Sequence, residues 1–202
     1  MNVEKSVHRV RLGDIAETIF PGLLPYGRSP AGKGDLAIPL ISVKDIRDGM
    51  VDPSALDQFT VQDTGKILSY RVRPRDLILS TRGTTPKSAV CDESVEGLVA
   101  GPNLAVIRLK AESPVGPYLL HTILESPAGQ LALIAQSQGS ATLGLRPKAI
   151  ADLVLDLPPA DRLAKLEELC REFIRYRRVA LEAIQSRQRI VHNLAGHLVT
   201  GE

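Results

Sequence analysis

The residues with the most to offer chemically form a run of cations. Between positions 66 and 90, Lys66, Arg71, Arg73, Arg75, Arg82 and Lys87 stand against Asp76 alone, six charges less one, or +5. The preceding stretch, 51–65, carries Asp52, Asp57 and Asp63 and no basic residue, or −3. The cationic strip runs into a Gly/Thr loop, TRGTTPK at 81–87. Arg and Lys bond guanine edges and phosphates, while Thr hydroxyls and loop N–H groups bond phosphate oxygens. That chemistry suits double-stranded DNA. The candidate contacts are Arg73, Arg75, Arg82, Thr84, Thr85 and Lys87. Other Gly/Pro-rich loops add Arg28, Lys33, Ser140, Thr142, Arg146 and Lys148. The rival reading is a solvated strip neutralised by the acidic stretch beside it, and pairing in space decides between the two.

Catalytic patterns fare worse. In GRSPAGKG (27–34), Gly27, Gly32 and Lys33 fit a phosphate-binding G-x4-G-K loop, but Gly34 stands where a magnesium-holding Ser or Thr belongs. An apolar strand, not a helix, follows, so a flexible basic loop is the better reading. A nucleotide enzyme built on this loop is a third hypothesis, removed if nucleotides leave the melting temperature unchanged. The histidines, His8, His121, His192 and His197, lack HExxH spacing, and Cys91 and Cys170 make no CxxC pair. No G-x-S-x-G elbow is present. The residues make no positive case for an enzyme, a metal site or a cofactor.

Bulk properties set the frame. A chain of 202 residues allows one or two domains and a real core. Twenty-five basic and 23 acidic residues leave a net charge of +2, which excludes a histone-like polycation. The first ten residues, MNVEKSVHRV, contain no apolar signal core, and no apolar run approaches the ~18 residues of a membrane span. Two thiols 79 positions apart fit a reduced compartment, so the expectation is a cytoplasmic protein without membrane contact.

These side chains must be positioned by two units that divide at Pro158-Pro159. Residues 1–158 hold most of the Gly and Pro and read as an α/β (α+β) domain, while 159–202 read as one long helix. Expected strands are 7–12, 36–43, 76–80, 88–91, 103–109 and an alternating 150–157. Expected helices are 12–20, 116–126 and 127–137, the last two opened by Pro. The long helix shows apolar residues at alternate spacings of three and four: Leu163, Leu166, Cys170, Phe173, Ala180, Ile184, Val191, Leu194 and Leu198, with Arg177 and Arg187 interrupting. Nine of eleven such positions are apolar over five heptads, the pattern of a left-handed coiled coil that needs a partner helix. The alternative is an amphipathic helix folded back on its own domain, because periods of 3.5 and 3.6 separate poorly over five turns. The two arginines either meet carboxylates or reach water. Arg171, Arg175 and Arg178 lie within reach of Glu167, Glu172 and Glu182, a laced and solvated face.

The ordered features resemble the DNA-specificity (S) subunit of type I restriction–modification systems. HRVRLGDIAETIFPG (8–22) resembles the start of its target-recognition domain, and IPLISVKDIRDGMVD (38–52) the segment that follows. VRPRDLILSTRGTTPKSAVC (72–91) resembles its strand–loop–strand, and GSATLGLRPKAIADLVLDLPP (139–159) its closing stretch before a long helix. The resemblance spans nearly the whole chain. Ala160, Asp161 and Arg162 depart from the acidic-Gln pair often found after Pro-Pro. More importantly, such a subunit usually has two recognition domains and two helices that pack antiparallel as a ruler on DNA, whereas this chain has one of each. The resemblance therefore implies a non-catalytic half-subunit, target recognition in 1–158 and dimerisation by 159–202. It implies a homodimer, reading two identical half-sites and recruiting methyltransferase (M) subunits and, where present, restriction (R) subunits. The alternative from another class is a coiled-coil assembly protein that never touches DNA.

Overall fold

The computed structural model describes residues 8–24, 36–61, 64–137 and 143–200. In chain order the elements begin β1 (His8–Arg11), α1 (Leu12–Ile15), β2 (Ala16–Pro21), β3 (Leu36–Ile41), β4 (Ile46–Arg47), β5 (Met50–Val51) and β6 (Asp57–Val61). They continue with α2 (Thr64–Ile67), β7 (Leu77–Ser80), β8 (Arg82–Gly83), β9 (Ser88–Val90), β10 (Val99–Ala100) and β11 (Leu104–Leu109). The chain closes with α3 (Pro117–Glu125), α4 (Pro127–Ala135), β12 (Leu143–Gly144), α5 (Pro147–Ala151), β13 (Val154–Leu157) and α6 (Ala160–Thr200). The α+β domain and the long helix expected from the sequence are both present.

A six-stranded mixed sheet, β2-β11-β7-β9-β5-β4, carries the core. Alternation along its strands fills both faces. Leu77, Leu79, Ala105 and Ile107 point to one side, where Leu120, Leu124, Leu133 and Ile150 of the helices meet them. Ile78, Ala89, Leu104 and Val106 point to the other, against Ile41, Val51, Val95 and Ala100. All four residues of β7 are buried, its apolar run Leu77–Leu79 filling both faces and Ser80 closing the strand. β1 pairs antiparallel with β13, His8 opposite Leu157, and so brings the start of the domain to its end.

Two expectations are corrected. The proposed helix at 12–20 is a single turn followed by strand β2, because residues 16–21 pair antiparallel with β11 and tertiary pairing overrides a weak local preference. Likewise, the start of 150–157 is helical, and only Val154–Leu157 is strand.

A hairpin with no counterpart among the expected elements joins β4 to β5. Asp48 and Gly49 both have positive φ, 53° and 81°, and Arg47 pairs with Met50, a two-residue turn of the primed type. Glycine is needed at 49 for a second reason: a Cβ there would sit 2.6 Å from His121 Nε2.

The 41 residues of α6 make a rod of about 61 Å. Its first turns lie on α3. Leu163 is part of the domain core, Leu166 and Cys170 pack partly against that core, and Ile174 is 3% exposed. Glu167 reaches across to accept from the N–H groups of Tyr118 (3.3 Å) and Leu119 (2.7 Å), capping α3 from outside. Gly116 makes room for it, since a Cβ at 116 would fall 2.1 Å from the Glu167 carboxyl carbon. Arg177 bonds Asp48 at 2.5 Å, and Arg178 bonds Asp92 at 3.0 Å and Glu182 at 2.9 Å.

The single heptad line drawn through the sequence therefore splits. Leu163, Leu166 and Cys170, expected in a seam between chains, are engaged by the chain's own domain. Phe173, Ile184, Val191 and Leu194 of the line are exposed, Arg177 reaches Asp48, Ala180 is half-buried, and the residue buried beside the line is Ile174; the Leu198 side chain lies outside those described. An α-helix turns about 100° per residue, so a strict seven-residue line drifts ~20° per heptad around a straight helix. The proximal half of α6 folds back on its own domain, as the second alternative has it, and the distal half projects away from that domain.

Candidate nucleic-acid interface

Loop 81–87 leaves the sheet at the end of β7 and is held there by its own backbone. Ser80 N–H donates to Lys87 O, and Lys87 N–H donates to the Ser80 hydroxyl, both at 2.8 Å. Thr81 N–H donates to Asn103 O at 2.8 Å, and Leu145 N–H donates to Thr81 O at 3.1 Å. β8 then pairs with β12, Arg82 opposite Gly144. These bonds draw segments 81–87, 101–103 and 143–148 to one end of the sheet. Pro86 is buried as the loop's anchor, while Arg82, Thr84, Thr85 and Lys87 are exposed. Arg146 precedes the first turn of α5 and Lys148 lies within it, both exposed. Six of the twelve DNA candidates therefore share this end. Arg28, Lys33, Ser140 and Thr142 lie outside the described residues, as does the G-x4-G-K segment.

Arg73 and Arg75 do not join them. They precede β7, where Arg75 N–H donates to Cys91 O at 2.9 Å, and Arg82 follows it. Seven residues of extended chain span roughly 23 Å. The strip that is continuous in sequence is two clusters in space, at opposite ends of a buried strand.

Among the described residues, the carboxylates in and beside the strip are engaged by other partners. Asp76, its one carboxylate, is 1% exposed and forms a two-pronged pair with Arg108, Nε to Oδ1 at 2.8 Å and Nη2 to Oδ2 at 2.7 Å. It also accepts from Arg73 N–H at 2.8 Å, a backbone contact that leaves the Arg73 guanidinium free of it. The acidic stretch is engaged elsewhere: Asp52 with Arg47 at 3.3 Å and Asp57 with Lys44 at 2.6 Å. Asp63 lies outside the described residues. Among the described residues, Arg82, Lys87, Arg146 and Lys148 make no ion pair with a carboxylate. The neutralised-strip reading loses its support at this end of the sheet.

Behind the loop lies a polar cluster that spacing could not reveal. The Ser88 hydroxyl, 2% exposed, donates to Glu125 Oε1 at 2.7 Å and so accepts from His121 Nδ1 at 2.8 Å. Ser88 N–H also donates to Glu125, at 2.9 Å. Burial holds the His121 imidazole below the ordinary histidine range against the pull of Glu125, and Arg177 lowers it further. The order is wrong for nucleophilic catalysis, which needs the carboxylate on the imidazole and the imidazole accepting from the hydroxyl. The cluster ties β9 to α3 and fixes the base of loop 81–87. Among the described residues, no group of three His, Cys, Asp or Glu could hold a metal ion, and no helix is long and apolar enough to cross a membrane.

No protein-family model and no curated protein matches the chain. Solved structures do. The chain superposes on the HsdS subunit from Thermoanaerobacter tengcongensis with a TM-score of 0.56 and 20% identity, over 94% of this chain and 48% of that one. A chain from a type I R-M system, solved for its complex assembly and conformational transition, gives 0.55 and 19% identity over 92% and 47%. The type IIG restriction endonuclease BpuSI gives 0.60 and 14% over 83% and 26%. This chain thus shares the fold of type I specificity subunits and spans about half their length.

Proposed function

We propose that this chain is a specificity subunit of half-length form in a type I restriction–modification system. Each chain reads one DNA half-site with the loop end of its domain and has no catalytic site of its own. Methyltransferase subunits, and restriction subunits where present, supply the chemistry in the cytoplasm. The observation that carries this reading is the set of exposed cations, Arg82, Lys87, Arg146 and Lys148, without an ion pair among the described residues and gathered at one end of the sheet in a chain with the fold of HsdS. Clustered cations with hydroxyls and loop N–H groups are what phosphates and base edges require. The exposed distal half of α6 would join two chains, so that the target is a bipartite palindrome.

The test is duplex binding by the protein with its methyltransferase partner across a salt series. Arg82→Glu with Lys87→Glu should weaken binding and flatten the salt slope by about 0.9 for each phosphate no longer neutralised. Unchanged affinity and slope would overturn the assignment. The apolar stripe on α6 also fits an assembly protein that never meets DNA. No DNA binding at low salt by the intact assembly would favour that reading.

A further inference from the structure

The two arginines left out of the reading end have a setting of their own. Arg73 and Arg75 border a cleft of about 770 Å³ between the end of β11, the 110–117 segment and the root of α6. Both side chains are exposed, and among the described residues neither makes an ion pair or a side-chain hydrogen bond. The turn that carries them is held from inside. Arg73 N–H donates to Asp76 Oδ2 at 2.8 Å, and Asp76 N–H donates to Arg73 O at 3.1 Å. Within that turn Arg75 has φ 74°, a left-handed conformation that a residue with a Cβ keeps only where its surroundings impose it, as at binding sites.

The nearby carboxylates are already committed. Asp76 serves Arg108, Glu167 caps α3, and the charge of Glu17 acts on Arg108. The floor of the cleft is apolar, with Pro74, Leu109, Ala111, Pro114, Ala160 and Ala164 lining it. Ser113 supplies the one hydroxyl among the described residues that line it, and that hydroxyl donates to Val115 O at 2.8 Å. Duplex DNA asks for the opposite, free hydroxyls and a polar surface, as Thr84 and Thr85 offer at the other end of β7. An apolar centre with arginines at its rim is the make-up of a contact between proteins. Two free guanidiniums there select carboxylates.

We propose that this cleft is a docking site for an acidic segment of a partner protein. The segment lays apolar side chains on the floor and sets carboxylates on Arg73 and Arg75. Resting on the reading that DNA meets the 81–87 end, the two ligands occupy opposite ends of β7 and bind together.

Fluorescence anisotropy of the full-length chain tests this, with a labelled helical peptide carrying leucines on one face and glutamates beside them. That peptide should bind. The same peptide with lysines for its glutamates, or serines for its leucines, should not. Arg73→Glu with Arg75→Glu should weaken binding about tenfold, as reversal of free charges at an interface does. Its urea midpoint should match wild type, since both side chains are exposed. Arg82→Glu with Lys87→Glu should leave peptide affinity within about twofold, and a short duplex should not displace the peptide. No binding at millimolar peptide, or binding that the Arg73 and Arg75 reversal leaves intact, would overturn the proposal. So would a flatter salt slope for duplex binding by that variant, which would assign both arginines to phosphates and leave the reading of the 81–87 end standing. An unchanged duplex slope in Arg82→Glu with Lys87→Glu, beside intact peptide binding, would overturn the DNA reading alone.

Discussion

Asp76→Ala offers the sharpest test of which cation the buried carboxylate of the strip serves. The wild-type carboxylate accepts three hydrogen bonds at 2.7–2.8 Å, two from Arg108 and one from Arg73 N–H. The pair is shielded, with side-chain exposures of 2% for Asp76 and 14% for Arg108. Truncation leaves a mostly shielded guanidinium with a 3.3 Å bond to Arg71 O and the Phe20 ring, whose centroid lies 5.7 Å from it, and no carboxylate. Breaking such a pair from one side costs about 3–5 kcal/mol. Against a total of about 5–15 kcal/mol for a domain, that is a large share. Urea denaturation should show the loss as a lower midpoint with an unchanged slope. Arg108→Met, which leaves the carboxylate alone, should cost a similar amount, and the double variant should cost about 2 kcal/mol less than the sum. Because Asp76 and Arg82 lie at opposite ends of β7, DNA affinity of the folded variant should stay within about twofold. A cost below ~1 kcal/mol for Asp76→Ala would refute the claim that this carboxylate belongs to Arg108 rather than to the cationic strip.

Two further outcomes follow from the surroundings of α3. Glu167→Ala removes the acceptor for the first N–H groups of α3 and should cost about 1–2 kcal/mol in thermal or urea unfolding. Gly116→Ala should imitate it by displacing the carboxylate. His121 has a folded pKa below its ordinary 6.5, so the unfolded chain takes up a proton first as pH falls. Its contribution to stability is therefore intact above 6.5 and is lost as pH drops through the folded value. His121→Gln should flatten that part of the stability–pH curve, as measured by urea midpoints from pH 7.5 downward.

What the sequence revealed were elements whose signals are local. The apolar runs at 76–80, 88–91 and 103–109 became strands β7, β9 and β11, and the prolines at 117 and 127 opened α3 and α4. The Asp48-Gly49 pair carried an equally local signal for a hairpin, and attention to it would have found β4 and β5. What stayed hidden depends on distance in space. The partner of Asp76 lies 32 residues away, and Glu125 and Ser88 are 37 apart. Charge clustering along the chain misled because a buried strand of four residues separates Arg75 from Arg82. The heptad line misled in its first half for a different reason: a helix anchored to a domain stays straight, and a line of strict period seven then rotates off the contact face.

The pairing of β1 with β13 gives the domain a mechanical property of its own. Its entry and exit strands are zipped side by side, His8 against Leu157, immediately before the rod begins. The domain and the rod therefore share one seam, beside which Leu163 and Glu167 hold the rod to α3. Residues of the domain can vary between chains of this fold without moving the point from which the rod departs, provided the surface of α3 that meets Leu163 and Glu167 is kept.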